Sequence, residues 1–170
     1  MLTQILIHTP MWVFALFAVL FWLGARQLLA GSVSLLRVTL LPIAMTALSV
    51  YGVISAFGAA PAALFGWATA ALVLLAVVLQ RPLPATTRYD AAARRFHVAG
   101  SAVPLLLMTG IFITKYAVGV MLATHAELRH QVAPLVSISA LYGAFSGIFA
   151  ARAIRLWRVA LQADVATLAA

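Results

Sequence analysis

The chain has 170 residues, 65% of them hydrophobic and only 8% charged, with no cysteine and a net charge of +8. A soluble domain carries about 25% charged and about 45–50% apolar residues. Eleven basic and three acidic side chains cannot cover this much apolar surface in water, so a water-soluble fold is excluded and lipid is the expected solvent. The missing cysteines exclude disulfides, thiolate metal sites and cysteine nucleophiles. The length suits one compact bundle without a sizeable soluble domain.

The expected fold is therefore all-α: a polytopic membrane helical bundle in a single domain over 1–170, with about five transmembrane helices. Thr9-Pro10 reads as the start of the first, over about 10–29, since proline suits a first helical turn. No Lys or Arg precedes this run, which argues against a signal peptide. Residues 28–36 hold Gly31, Ser32 and Ser34 and read as a connector near the surface. A second span is expected over about 38–57, with Pro42 in its first turn. Gly58-Ala-Ala-Pro61 then turns the chain tightly, so the second and third helices should be antiparallel neighbours. The third span covers about 62–80 and is stopped by Arg81-Pro82.

Residues 81–101 form the one substantial polar loop, expected to be cytoplasmic. Arg88-Tyr-Asp90 and Arg95-Phe-His97-Val98 lie within it as either a short β-hairpin or a turn of helix. Ser101 is an N-cap candidate for a fourth span over about 102–124. A short polar loop leads to a fifth span over about 135–157, and a small tail follows.

The Lys and Arg positions give the orientation. With the N-terminus outside and the C-terminus cytoplasmic, the inner side receives Arg26, Arg37, Arg81, Arg88, Arg94, Arg95, Arg152, Arg155 and Arg158, and the outer side only Arg129. This bias accounts for the net charge without nucleic acid. It leaves two partners for the inner arginines to meet, the bilayer and its anionic lipid headgroups. Trp12, Trp22, Trp67 and Trp157 fall towards span ends, as aromatic anchors do.

Lys115 is the basic residue that topology does not explain. It sits in the middle of the fourth span, where an ammonium costs about 2.5–3.5 kcal/mol on insertion scales. Thr124 is nine residues on, roughly 13 Å along a helix, so the side chain should face the bundle interior. Asp90, Glu127 and Asp164, the only acids, lie outside the spans. Matched depth instead offers Tyr142, Ser49 and Thr69. Lys115 is expected to be held by Tyr142 and Ser49, directly or through water, in a layer that binds or transports a small anionic or polar ligand.

Ala140, Gly143, Gly147 and Ala151 form a small-residue stripe on the fifth helix, expected to serve either packing within the chain or a homodimer seam. His8, His125 and His130 fall together on the outer side. Imidazoles there offer a metal or haem site as an alternative. No GxSxG, P-loop, HExxH or dinucleotide fingerprint occurs, so no enzymatic reaction and no resident cofactor are expected. A non-catalytic membrane partner or assembly subunit is the remaining alternative.

His8-Thr-Pro-Met-Trp12, Arg88-Tyr-Asp90 with Arg95-Phe-His97 and Gly100-Ser101, and Leu141-Tyr-Gly-Ala-Phe-Ser-Gly147 with Arg152 and Arg155-Leu-Trp157 carry a resemblance. Arg37-Val-Thr-Leu-Leu-Pro42 agrees with it. Together they resemble a family of small proteobacterial inner-membrane proteins whose shared domain is of unknown function. The arginine before helix two and the short basic loop before helix four are similar to the CcdC-like membrane proteins. The resemblance implies a bacterial inner membrane and a helical bundle, and supplies no catalytic residues.

Overall fold

The computed structural model describes residues 11–82, 87–90, 93–98 and 100–168. Among the described residues are five α-helices: α1 (Met11–Ala25), α2 (Leu35–Phe57), α3 (Pro61–Leu79), α4 (Val103–Thr124) and α5 (Val132–Leu168). Four of them, α2 to α5, are long and apolar enough to cross a membrane. The described part of α1 is shorter, 15 residues, and the expected start at Thr9-Pro10 lies outside the described residues. Two compact units form, one from the described parts of Met1–Ala30 and Gly100–Ala126, the other from those of Gly31–Ala99 and Glu127–Ala170.

In the first unit α1 and α4 lie antiparallel. Phe17 meets Phe112 with ring centroids 4.9 Å apart, and buried Gly24 admits Leu105, whose side chain and backbone a Cβ would crowd. The end of α1 tightens into a 3-10 turn, Arg26–Leu28. There the Arg26 guanidinium stands 5.0 Å from the centre of the exposed Trp22 ring, a cation–π pair of the kind that holds at a surface. The Ser101 N–H donates to the Gln27 carbonyl, 2.9 Å. The N-cap of α4 is Ala102 rather than the expected Ser101, but the Ser101 hydroxyl, one residue earlier, still accepts from the Val103 N–H, a donor that the first turn leaves free.

The second unit holds α2, α3, α5 and a sheet. The connector expected over 28–36 is in part a strand, β1 (Gly31–Ser34), and the polar loop resolves as the hairpin β2 (Arg88–Asp90) and β3 (Arg95–Val98). All pairs are antiparallel and the order is β1-β3-β2. In register, Val33, Phe96 and Tyr89 form one row; Ser32, His97 and Arg88 form the next, and Ser34, Arg95 and Asp90 the one after. Side chains alternate across a pleated sheet, so the first row faces one way and the two polar rows the other. Phe96, 0% exposed, centres a cluster with Val38 of α2 and Ala160 of α5, joined by Val33, Tyr89, Leu156 and Trp157. The outer face carries Arg88, Arg95 and His97, all exposed.

This sheet also sets the start of α2. The Leu35 N–H donates to the Arg94 carbonyl, 3.1 Å, and the Arg37 N–H to the Ser34 hydroxyl. The helix therefore begins three residues before the expected position, and Pro42 sits inside it rather than in its first turn. At its other end Gly58 takes a φ of 69°, a left-handed value that a side chain would resist, and Pro61 opens α3.

Helices α2 and α3 are antiparallel, but each lies against α5 far more than against the other. Ser49 and Thr39 of α2 meet Tyr142 and Trp157 of α5 in reverse order, while Trp67 and Ala71 of α3 meet Gly143 and Gly147 in the same order. For α3 the reason is the narrowness of α5 at Gly143 and Gly147, where the α3 backbone can approach. The fifth helix also differs at both ends. It starts at Val132, and the expected tail continues it, giving 37 residues or roughly 55 Å at 1.5 Å per residue.

Candidate functional site

The most connected polar feature of the second unit joins three helices at one depth. The Ser49 hydroxyl donates to the Tyr142 carbonyl, 3.1 Å, and accepts from the Trp67 indole N–H, 2.9 Å. The Ser146 hydroxyl, buried one turn further along α5, donates to the same carbonyl, 3.1 Å. One main-chain oxygen thus gathers two side-chain donors, and one serine hydroxyl is engaged as both donor and acceptor. Ser139, 0% exposed, lies one turn earlier, and its hydroxyl has no hydrogen-bond partner among the described residues.

The structure therefore brings Ser49 and Tyr142 together, through the tyrosine's main chain. Thr69 is exposed on α3, two residues from each of Trp67 and Ala71 and so on a different face from the one meeting α5. Lys115 belongs to the first unit and Ser49, Thr69 and Tyr142 to the second. Within α4 Lys115 is half-buried.

Trp67 is the member of this layer that the sequence reading missed. Its place towards one end of a span suggested an interfacial anchor. Trp157 likewise makes a bond between helices, donating from its indole to the Thr39 hydroxyl, 3.1 Å. The two indoles fasten α2 at hydroxyls ten residues apart, and that spacing of Thr39 and Ser49 was the available signal. The pair can be measured. In a double-mutant cycle of Ser49→Ala and Trp67→Phe, thermal unfolding is expected to give a coupling of about 0.6–2 kcal/mol, the range of interhelical hydrogen bonds in membranes. Strict additivity would show that the contact adds nothing.

The small-residue stripe is used within the chain. A Cβ at Gly143 would collide with the Trp67 carbonyl, and one at Gly147 with the Ala71 carbonyl, so α3 occupies the face on which a homodimer was the alternative. Ala151 is fully buried and Ala140 half-buried. Of the outer histidines, His8 and the His130 side chain lie outside the described residues. His125 ends α4, exposed, with its Nδ1 2.9 Å from the Thr124 hydroxyl. Among the described residues no three His, Cys, Asp or Glu side chains gather as a metal would need.

A second polar region lies where α5 passes the sheet. Arg155 donates to the Pro82 carbonyl, 2.6 Å, and its Nε is buried with no hydrogen-bond partner among the described residues. Arg152, one turn back on the same helix, is half-buried. Arg37, Arg81, Arg88, Arg94, Arg95 and Arg158 are exposed around this same end of the unit, while Arg129 precedes α5 at the other.

Residues 1–167 match the model of a family of unknown function, DUF6622. No curated protein and no solved structure matches the chain.

Proposed function

We propose that this chain, which belongs to the DUF6622 family of unknown function, is a multi-pass protein of a bacterial inner membrane that binds or moves a small polar or anionic ligand at the depth of Lys115. Lys115 carries the reading. It is the thirteenth residue of the 22-residue α4, a helix long and apolar enough to cross a bilayer, and it is half-buried there. A charge kept at such a position is expensive and is usually kept for a task.

The orientation with the N-terminus outside has support in the second unit. Its arginines are polarised, eight at the sheet end (Arg37, Arg81, Arg88, Arg94, Arg95, Arg152, Arg155 and Arg158) and Arg129 at the other. The bias of Lys and Arg towards the cytoplasm then puts the sheet inside. The parallel course of α3 and α5, with α2 opposed to both, is what alternating spans require.

The test is ligand-dependent stability in lipid nanodiscs. Acetate, glutamate and inorganic phosphate serve as probes, and thermal unfolding is read by tryptophan fluorescence. At least one probe is expected to raise the Tm of the wild type, and Lys115→Met to fold at equal or higher Tm while losing that rise. Identical responses in the two proteins, or none in either, would sink the reading.

A second reading, a non-catalytic membrane partner or assembly subunit, is favoured by one observation. The Ser49 hydroxyl is already engaged on both sides by Trp67 and Tyr142, so this polar cluster of the second unit holds helices together. That reading expects Lys115→Met to change no probe response and to alter instead what co-purifies with the protein.

A further inference from the structure

We infer that Arg152 and Arg155 form a binding site for a phosphate group, carried on a phospholipid headgroup or free in solution, at the sheet end of the second unit. The site lies within the second unit, and its argument does not rest on Lys115. Topology alone asks only that arginines lie on one side of the membrane, and the exposed Arg88, Arg94, Arg95 and Arg158 meet that demand. Arg152 and Arg155 do something different, since both are drawn into the protein.

The Arg155 guanidinium is fixed by its bond to the Pro82 carbonyl, just past the end of α3, where the final turn leaves carbonyls without intrahelical donors. That bond orients the planar head and leaves its buried Nε without a hydrogen-bond partner among the described residues. A buried charged donor left unmatched is costly, and an Arg edge is matched well by two oxygens of one oxyanion. Arg152 stands three residues earlier on the same helix, one turn away and so on the same side of it, and is half-buried there. Two such cations repel unless an anion stands with them.

The chain's own acids do not supply it. It has three. The Asp90 carboxylate accepts from the Ala93 N–H in the hairpin turn. Glu127 lies in the 3-10 turn that precedes α5, at its opposite end. Asp164 is nine residues beyond Arg155, roughly 13 Å along the helix. A phosphate group, with tetrahedral oxygens and one or two negative charges, suits two guanidinium side chains one turn apart on a helix better than a single carboxylate would.

The protein is placed in nanodiscs of phosphatidylcholine alone, or of phosphatidylcholine with phosphatidylglycerol. Inorganic phosphate is titrated into the first at constant ionic strength. Thermal unfolding is followed by tryptophan fluorescence, and retained lipid by native mass spectrometry. The wild type is expected to gain Tm from phosphatidylglycerol, which identifies a headgroup as the source, or from phosphate, which identifies a free anion. Arg152→Gln and Arg155→Lys should each weaken that effect roughly tenfold or more in concentration, while Arg158→Gln leaves it unchanged. Arg155→Lys keeps the charge and removes the fork, and Arg152→Gln leaves the Pro82 contact intact, so a folding failure in one leaves the other to decide. No gain in either arm, or an equal gain in wild type and in both variants, overturns the assignment.

Discussion

Gly143→Leu is expected to unseat α3 from α5 and to give the largest loss of stability of any single substitution in the second unit. The Cβ alone would overlap the Trp67 carbonyl and approach its Cα to 3.0 Å. The obstacle is main chain, which cannot rotate aside as a side chain can. Overpacking in cores costs about 1–3 kcal/mol where neighbours can adjust, and here the whole of α3 must shift, so the effect should exceed the ~3–5 kcal/mol of deleting a buried aromatic ring. The Trp67–Ser49 bond would be lost with it, since the indole sits on the helix that moves. Thermal unfolding in nanodiscs checks this, with the yield of protein that resists brief proteolysis as a second reading. Gly119→Ala is the comparison, because a Cβ there meets nothing within 4 Å. A Gly143→Leu protein as stable as that control would show that α3 does not use the notch.

Phe96→Ala should come next, at about 3–5 kcal/mol, the usual cost of deleting a fully buried aromatic ring. The ring is 0% exposed and 4.8 Å from that of Tyr89. Its neighbours come from β1, α2 and α5, so one deletion loosens the sheet from both helices. The consequence should be local. The Leu35 N–H and Arg37 N–H bonds that begin α2 depend on the sheet, whereas the Ser49 and Trp67 bonds lie about 18–21 Å further along α2. Hydrogen exchange should rise at β1, β3 and the first turn of α2 and stay low at the layer of Ser49. Uniformly faster exchange through α2 would show instead that sheet and helices unfold as one body.

The candidate sites were legible to different degrees, and the difference is one of range. The depth match between Ser49 and Tyr142 followed from counting residues along helices, because a regular rise turns sequence position into height. Counting gives height but not azimuth. Thr69 has a suitable height and lies on another face of α3, while Trp67, two residues away, points where the hydroxyl is. The arginine bias was visible as soon as the spans were marked. That Arg155 would turn inward to the Pro82 carbonyl was not, since the partners are 73 residues apart.

By itself the sequence determined the predominantly helical class and the place of four long apolar helices, three of them to within three residues at each end. These depend on composition and on local hydropathy, which each segment carries without reference to the others. It also marked Lys115 as a charge at a costly depth. It missed the sheet and the continuation of α5 past 157 to Leu168. Only the tertiary structure decided that Gly31–Ser34 is a strand, because Gly-Ser-Val-Ser has no alternating apolar pattern and takes its conformation from pairing with residues 95–98. The same holds for the early start of α2, which the sheet supplies, and for the small-residue stripe, which either α3 or a second chain could have filled. In each case the local residues permit several partners, and the energy that selects one arises only when distant segments pack.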